Sequence, residues 1–275
     1  MENKIYPTIK NAILLCLLFL GIQLGLGLLI GLFQMLFSLS DTSLLAGVLT
    51  NLAIIISFGI VLWVGFRKTK RKFNEVFKFN KVPPFLWIAI MVFTIGLVIV
   101  ISETDNLLSY ILPMPVMFGS VFKTLMAEQI FIIAIISIGI IPAFTEELLF
   151  RGLILDGLKN NYSKRKAIII SALLFGIIHL NPWQFCAAFI IGLVSAWICI
   201  ETNSILLSIY IHFFNNVLYT IAVRYKDLIP IEGFNSNSAT PVIFQPWWLD
   251  VSGLAILTMG TIMLIKGIKK AKAGA

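Results

Sequence analysis

The sequence predicts an all-α, polytopic integral membrane protein: a helical bundle with about eight transmembrane helices. Three observations predict it. Of 275 residues, 59% are hydrophobic and only 12% are charged, half the roughly 25% charge of a soluble domain. The mean hydropathy is +0.97. A soluble globule of this size has too little interior for so much apolar surface, and disorder needs the opposite composition. Finally, the apolar residues fall into runs, and a helix needs about 20 of them to cross a hydrocarbon core of roughly 30 Å.

The runs cover residues 11–37, 43–66, 85–102, 124–145, 167–182, 184–200, 203–223 and 247–265. The first follows Lys4 and Lys10. It is too long for a signal-peptide core and lacks a cleavage site, so it is expected as a retained span. The fifth and sixth runs are short, and Pro182 with Trp183 makes their connection tight. Pro142 is expected to bend the fourth. Residues 103–123 and 224–246 are expected to be irregular, because Pro113, Pro115, Pro230 and Pro241 interrupt them. Residues 1–275 read as a single transmembrane domain with no repeat. Cys16, Cys186 and Cys199 all lie in apolar runs and read as small buried hydrophobes rather than a disulfide framework. Trp87, Trp183, Trp247 and Trp248 sit at span ends, as an interfacial aromatic belt does.

The charges decide orientation. Eight spans put both termini on one side, and 18 of the 21 Lys and Arg residues fall there. Lys123, Arg224 and Lys226 are the exceptions. The positive-inside rule places that side, with both termini, in the cytoplasm of a multi-pass cell-membrane protein. The net charge of +8 is therefore a topology signal that also suits anionic lipid headgroups. A nucleic-acid partner is not expected.

Ionisable groups deep in a span are costly, so they mark function. Glu146 and Glu147 end the fourth run, followed by Arg151. His179 lies in the fifth run, and His212, Asn215 and Asn216 lie in the seventh. The chain has only two histidines. Counted from the nearest cytoplasmic charge, Glu146, His179 and His212 lie at depths of roughly 20, 20 and 16 Å. Glu147 and Arg151 share a helix face, as do Phe175 with His179 and His212 with Asn216. Glu146 is turned about 100° from Glu147. Singly, each has a bland explanation: an intrahelical ion pair, a satisfied core histidine, a helix–helix hydrogen bond. Asn215 reads as structural, and Glu128 and Glu201 as span-end residues. Jointly, at one depth, the group reads as functional.

The chemistry within reach is hydrolysis. A carboxylate with an imidazole activates water, and a second His with an Asn amide donates to an oxyanion. Zinc is the other reading: Glu146, His179 and His212 could ligate a divalent metal and leave a position for water. The His-Glu-x-x-His pattern is absent, and spacing leaves metal-free and metal-assisted hydrolysis both open.

Three motifs then appear in order on separate spans: Glu146-Glu147-Leu-Leu-Phe-Arg151, Phe175-Gly-Ile-Ile-His179 and His212-Phe-Phe-Asn-Asn216. Over residues 124–223, the expected catalytic core, the chain resembles the CPBP family of intramembrane proteases. That family includes the type II CAAX prenyl endopeptidases and bacteriocin-processing or immunity relatives. The resemblance implies an endopeptidase cleaving a membrane-associated protein or peptide. It implies Glu146 as general base acting with His179 on water, Glu147 and Arg151 as their support, and His212 with Asn216 as oxyanion site. Phe175 would pack beside them. A non-catalytic immunity or scaffold protein that keeps the fold is the alternative. A transporter is disfavoured, because inverted repeats would spread buried charges over both halves.

Overall fold

The computed structural model describes residues 4–40, 43–115, 130–228, 230–234 and 242–273. Among them it has nine helices and no strand: α1 (Ile9–Leu36), α2 (Leu44–Thr69), the short α3 (Phe73–Val76), α4 (Pro84–Ile111), α5 (Phe131–Asn161), α6 (Lys164–Ile177), α7 (Pro182–Thr202), α8 (Leu206–Arg224) and α9 (Trp247–Ala273). Seven are long and apolar enough to cross a membrane. The chain is a polytopic helical membrane bundle.

Two expectations change. The run 167–182 becomes α6, a helix of 14 residues. At 1.5 Å per residue it spans about 21 Å, short of a crossing. Its apolar character continues past Ile177, but the backbone does not. Leu180 adopts a left-handed φ of 51°. Asn181 then caps α7 by accepting the Trp183 and Gln184 N–H groups, with Pro182 in the first turn. Thus α6 goes partway in and the chain turns back as α7. The second change is at residues 103–111, expected to be irregular, which continue α4. Their polar side chains find partners. Asn106 donates to Glu103 and to the Gly233 carbonyl, and the Gln245 N–H donates to Glu103. The first part of the fourth predicted span, with Lys123 and Glu128, lies outside the described residues.

The basic segments gather at one end of the bundle. The Ile5 backbone exchanges two hydrogen bonds with the Asn161 side chain at the end of α5. Arg71 and Lys159 both pair with the buried Asp156. Burial and then the Lys159 ammonium pull the Lys78 amine below the usual lysine range. The Ile205 N–H donates to the Lys78 carbonyl, and the Ser204 hydroxyl to that of Asn80. Lys164 and Lys272 converge on Glu201. The starts of α1 and α6 and the ends of α2, α5, α7 and α9 therefore share a level, as the charge count expects.

Two apolar clusters fill the interior. One joins α1, α2 and α6 to the second half of α5, where Leu149, Phe150, Leu153, Ile154 and Leu158 have no exposed surface. The other joins α4 and α9, and α7 and α8 contribute to both. A helix buried on all sides is a core helix, and the stretch 149–158 of α5 is one here, whereas Ile132 and Phe144 in its first half are exposed.

Close packing of α4 on α9 depends on glycine. A Cβ on Gly260 would lie 2.4 Å from the Phe93 Cα, and one on Gly96 would lie 2.3 Å from the Leu257 backbone nitrogen. With Gly253 and Gly267 these residues let two backbones touch, the usual solution where lipid provides no hydrophobic drive. Gly260→Val is expected to destabilise the bundle by about 2–3 kcal/mol, measured by unfolding in detergent micelles. Gly21→Val, where nothing lies within 4 Å, is the matched control and is expected to leave stability unchanged.

Candidate active site

The polar residues singled out above lie where α5, α6, α7 and α8 meet, between the two apolar clusters. Helix α5 delivers three of them and is not a regular α-helix. It widens into π-helical turns at Ile135–Ile140 and again at Leu148–Ile154, on either side of the regular segment Ile141–Glu147. Wide turns of this kind cluster at functional sites, because they present backbone carbonyls and re-aim side chains. Here the Phe150 carbonyl accepts from the Ser171 hydroxyl, and the Arg151 carbonyl receives the Cys199 thiol.

Arg151 is the largest fully buried side chain among the described residues. It forms an ion pair with Glu147, Nη1 to Oε1, at 3.1 Å, and both side chains have no exposed surface. Its Nη2 donates to the Gly192 carbonyl at 3.3 Å. Its guanidinium carbon lies 4.4 Å from the centre of the Phe175 ring, a cation–π contact strengthened by the absence of water. Gly192 admits this approach: a Cβ there would sit 3.0 Å from the Ala172 Cα and 3.3 Å from Phe175.

Glu147 passes the connection on. Its Oε1 lies 3.0 Å from His212 Nδ1. A carboxylate only accepts, so Nδ1 carries the hydrogen and Nε2 is the working nitrogen of His212. Nε2 faces Glu146, 3.9 Å from its Oε2. The two adjacent glutamates thus hold one imidazole from two sides with different tasks. Glu147 is fully buried and engaged through Oε1, while its Oε2 has no hydrogen-bond partner among the described residues. Glu146 retains 14% of its side-chain exposure, and its buried Oε2 has no hydrogen-bond partner among the described residues. A partnerless carboxylate oxygen in a buried site is costly, so it marks a place for water or substrate.

His179, expected beside Glu146, lies differently. Its Nδ1 donates to the Phe175 carbonyl at 2.8 Å, which again leaves Nε2 to act as acceptor. Of the two histidines, His212 alone comes within 4.0 Å of a glutamate among the described residues. Both imidazoles pack on Phe175, with ring centres 5.2 Å and 5.7 Å from it. Asn216, one turn from His212, donates through Nδ2 to the Ile138 carbonyl at 2.8 Å and receives the Asn215 amide at 3.1 Å.

The zinc reading required Glu146, His179 and His212 to converge. Among the described residues no three His, Cys, Asp or Glu side chains are grouped as a metal ion needs. The physical reason is the Phe175 carbonyl, which holds the His179 ring on its own helix. As placed, the donor set does not fit zinc. The spacing arguments found every side chain of this network except the groups that seat Arg151. Gly192 gave one faint signal, an isolated glycine inside a span.

Because Glu147 and Arg151 are both fully buried, removing one strands the other. Arg151→Met alone is expected to cost about 3–5 kcal/mol, and Glu147→Leu with Arg151→Met together much less than the sum of the singles. A double-mutant cycle on thermal unfolding measures this.

Residues 128–218 match the family model described as type II CAAX prenyl endopeptidase Rce1-like. No curated protein and no solved structure matches the chain. The matched segment contains all three motifs and every side chain of the buried network. Motif order, shared site and family match agree: the site-bearing segment of this chain is similar to the CPBP family of intramembrane proteases.

Proposed function

We propose that the protein is an intramembrane endopeptidase, hydrolysing a peptide bond of a membrane-associated protein or peptide from the cytoplasmic half of the bilayer. The observation that carries this reading is the partnerless Glu146 Oε2 facing His212 Nε2 at 3.9 Å. A water seated between these atoms would donate to Glu146 Oε2, the carboxylate placed to deprotonate it. Positive-inside counting supplies the orientation, with both termini cytoplasmic.

The steps follow from the donors and acceptors. Glu146 takes a proton from water as its oxygen attacks the carbonyl carbon. The carbonyl oxygen becomes an oxyanion. The second N–H of the Asn216 amide supplies a hydrogen bond to it, and so does His212, which enters this step as an imidazolium with one N–H on Glu147 and a second proton already on Nε2. The C–N bond then breaks, and the proton held by Glu146 goes to the departing amine. His179 Nε2, fixed as an acceptor by the Phe175 carbonyl, is suited to orient the water or the leaving N–H. Glu147 keeps the His212 ring and tautomer in place, and Arg151 holds the Glu147 carboxylate still. Phe175 supports both imidazoles and Arg151. No step passes through a metal.

The family description suggests the first probe, a prenylated CAAX peptide, with an unlipidated single-span peptide beside it. Each carries a fluorophore and quencher across the cleavable segment and is presented in vesicles holding the purified chain. Glu146→Ala and His179→Ala are each expected to lower cleavage by at least about 100-fold, while both proteins still fold. Exhaustive chelation is expected to leave the rate unchanged. Cleavage that persists in both variants would sink the mechanism. A phenotype in cells that survives Glu146→Ala would point to a binding role instead.

A further inference from the structure

Pro142 interrupts α5 four residues before Glu146, in the segment between the two π-helical stretches. Proline has no backbone N–H. In a helix it therefore leaves the carbonyl four residues earlier without its usual donor. Four residues before Pro142 is Ile138, and the Ile138 carbonyl is the group that accepts the Asn216 side chain at 2.8 Å. Inside a membrane such a carbonyl has no water to turn to and must be satisfied by protein.

The geometry of the Asn216 amide is then fixed in full. A carbonyl only accepts, so the amide atom against Ile138 is the nitrogen, and the other is the oxygen. That oxygen receives Asn215 Nδ2 at 3.1 Å. With one N–H on Ile138 and the oxygen accepting from Asn215, the one hydrogen-bond donor left on Asn216 is its second N–H. His212 lies one turn below on the same face of α8, at the level of Glu146. The amide cannot flip to present an acceptor, which would repel a developing oxyanion.

We infer that Pro142 and Asn215 are positioning residues for Asn216. The proline leaves a carbonyl without a donor in the membrane interior, and that carbonyl seats the amide as a donor-only group. Asn215, which reads as structural from the sequence alone, holds the other end. This rests on the peptidase reading and adds to it Pro142, outside the three motifs, and Asn215, at a variable position within the third.

Pro142→Ala gives the sharpest test, because a structural role and a positioning role predict opposite signs. Alanine restores a backbone N–H that competes with Asn216 for the Ile138 carbonyl. A proline that merely bends the helix is replaced with a gain or no change in stability, and with no loss of turnover. A positioning proline gives the same stability but a kcat lowered at least about tenfold with KM nearly unchanged, part of the loss expected for a missing oxyanion donor. Asn215→Leu, which removes the donor to Asn216 at similar volume, is expected to lower kcat in the same way. It should add nothing further in an Asn216→Ala background.

A second measurement does not need catalysis. Asn216→Ala leaves the Ile138 carbonyl without a donor and lowers the melting temperature of the full chain in detergent. In the Pro142→Ala background the new N–H takes that carbonyl, so the same substitution lowers it much less. Additive melting shifts overturn the inference whether or not any peptide is cleaved. So does a wild-type kcat in Pro142→Ala, measured on the quenched CAAX or single-span peptide. A wild-type chain that cleaves neither peptide overturns the peptidase reading instead, while the melting cycle still reports on the contact.

Discussion

The structure depends on one constraint: a guanidinium kept without water in the middle of a membrane bundle. Taking Arg151 out of water is affordable only if its charge is met at close range and most of its N–H groups find acceptors. Glu147 meets the charge from the same helix, 3.1 Å away. The Gly192 carbonyl and the Phe175 ring add contacts from α7 and α6, while the Arg151 Nε has no hydrogen-bond partner among the described residues. Three helices are therefore tied to one residue. His212, held by Glu147 at 3.0 Å, ties in α8. The four elements that form the site are those that satisfy Arg151, so the fold cannot relax around the site without exposing a buried charge to hydrocarbon.

That dependence explains why the two glutamates differ although they are neighbours. Glu147 lies one helical turn from Arg151 and is spent on structure. Glu146, turned away from that pair, keeps an oxygen with nothing bonded to it. A hydrolase needs both kinds of carboxylate: one whose charge and position are fixed, and one whose lone pair is available. Adjacent positions on a helix supply them at the smallest separation in sequence, because about 100° of rotation lies between successive side chains. The π-helical turn that follows, Leu148–Ile154, alters the angle at which Arg151 leaves the helix while keeping it in reach of Glu147.

Much of this was legible in the sequence, for a physical reason. Lipid penalises polar groups so strongly that each one retained in a span must be accounted for, and only six or so needed accounting. Their i,i+4 spacing carried the pairing of Glu147 with Arg151 and the shared face of His212 and Asn216. The asymmetric distribution of Lys and Arg correctly gathered the basic segments at one end. Hydropathy was less informative about length. Residues 178–180 are as apolar as the helix before them, yet α6 ends there, because the Asn181-Pro182 start of α7 and the positive φ of Leu180 leave no room for another turn. The opposite error arose at residues 103–111, expected to be irregular because Pro113 and Pro115 follow; the helix runs on up to them, its polar side chains satisfied by residues 233 and 245, more than a hundred positions away.

The position of His179 shows where spacing stops being informative. Phe175 and His179 share a face, so a site carrying both was expected to bring the imidazole to Glu146. The same spacing also lets an imidazole donate back to the carbonyl one turn earlier, and that local bond is the one formed. A side chain with a bond available on its own helix does not have to cross to a neighbour to be satisfied, and no periodicity distinguishes the two outcomes. The consequence is chemical. An imidazole tied at Nδ1 to a carbonyl presents Nε2 as an acceptor, whereas His212, tied at Nδ1 to a carboxylate, is a ring that can hold positive charge and donate. Two histidines with the same nitrogen free are thus given opposite characters by their partners, one suited to water or amine and the other to an oxyanion. Phe175 packs an apolar ring against both imidazoles and against Arg151, so one side chain fixes the orientation of all three.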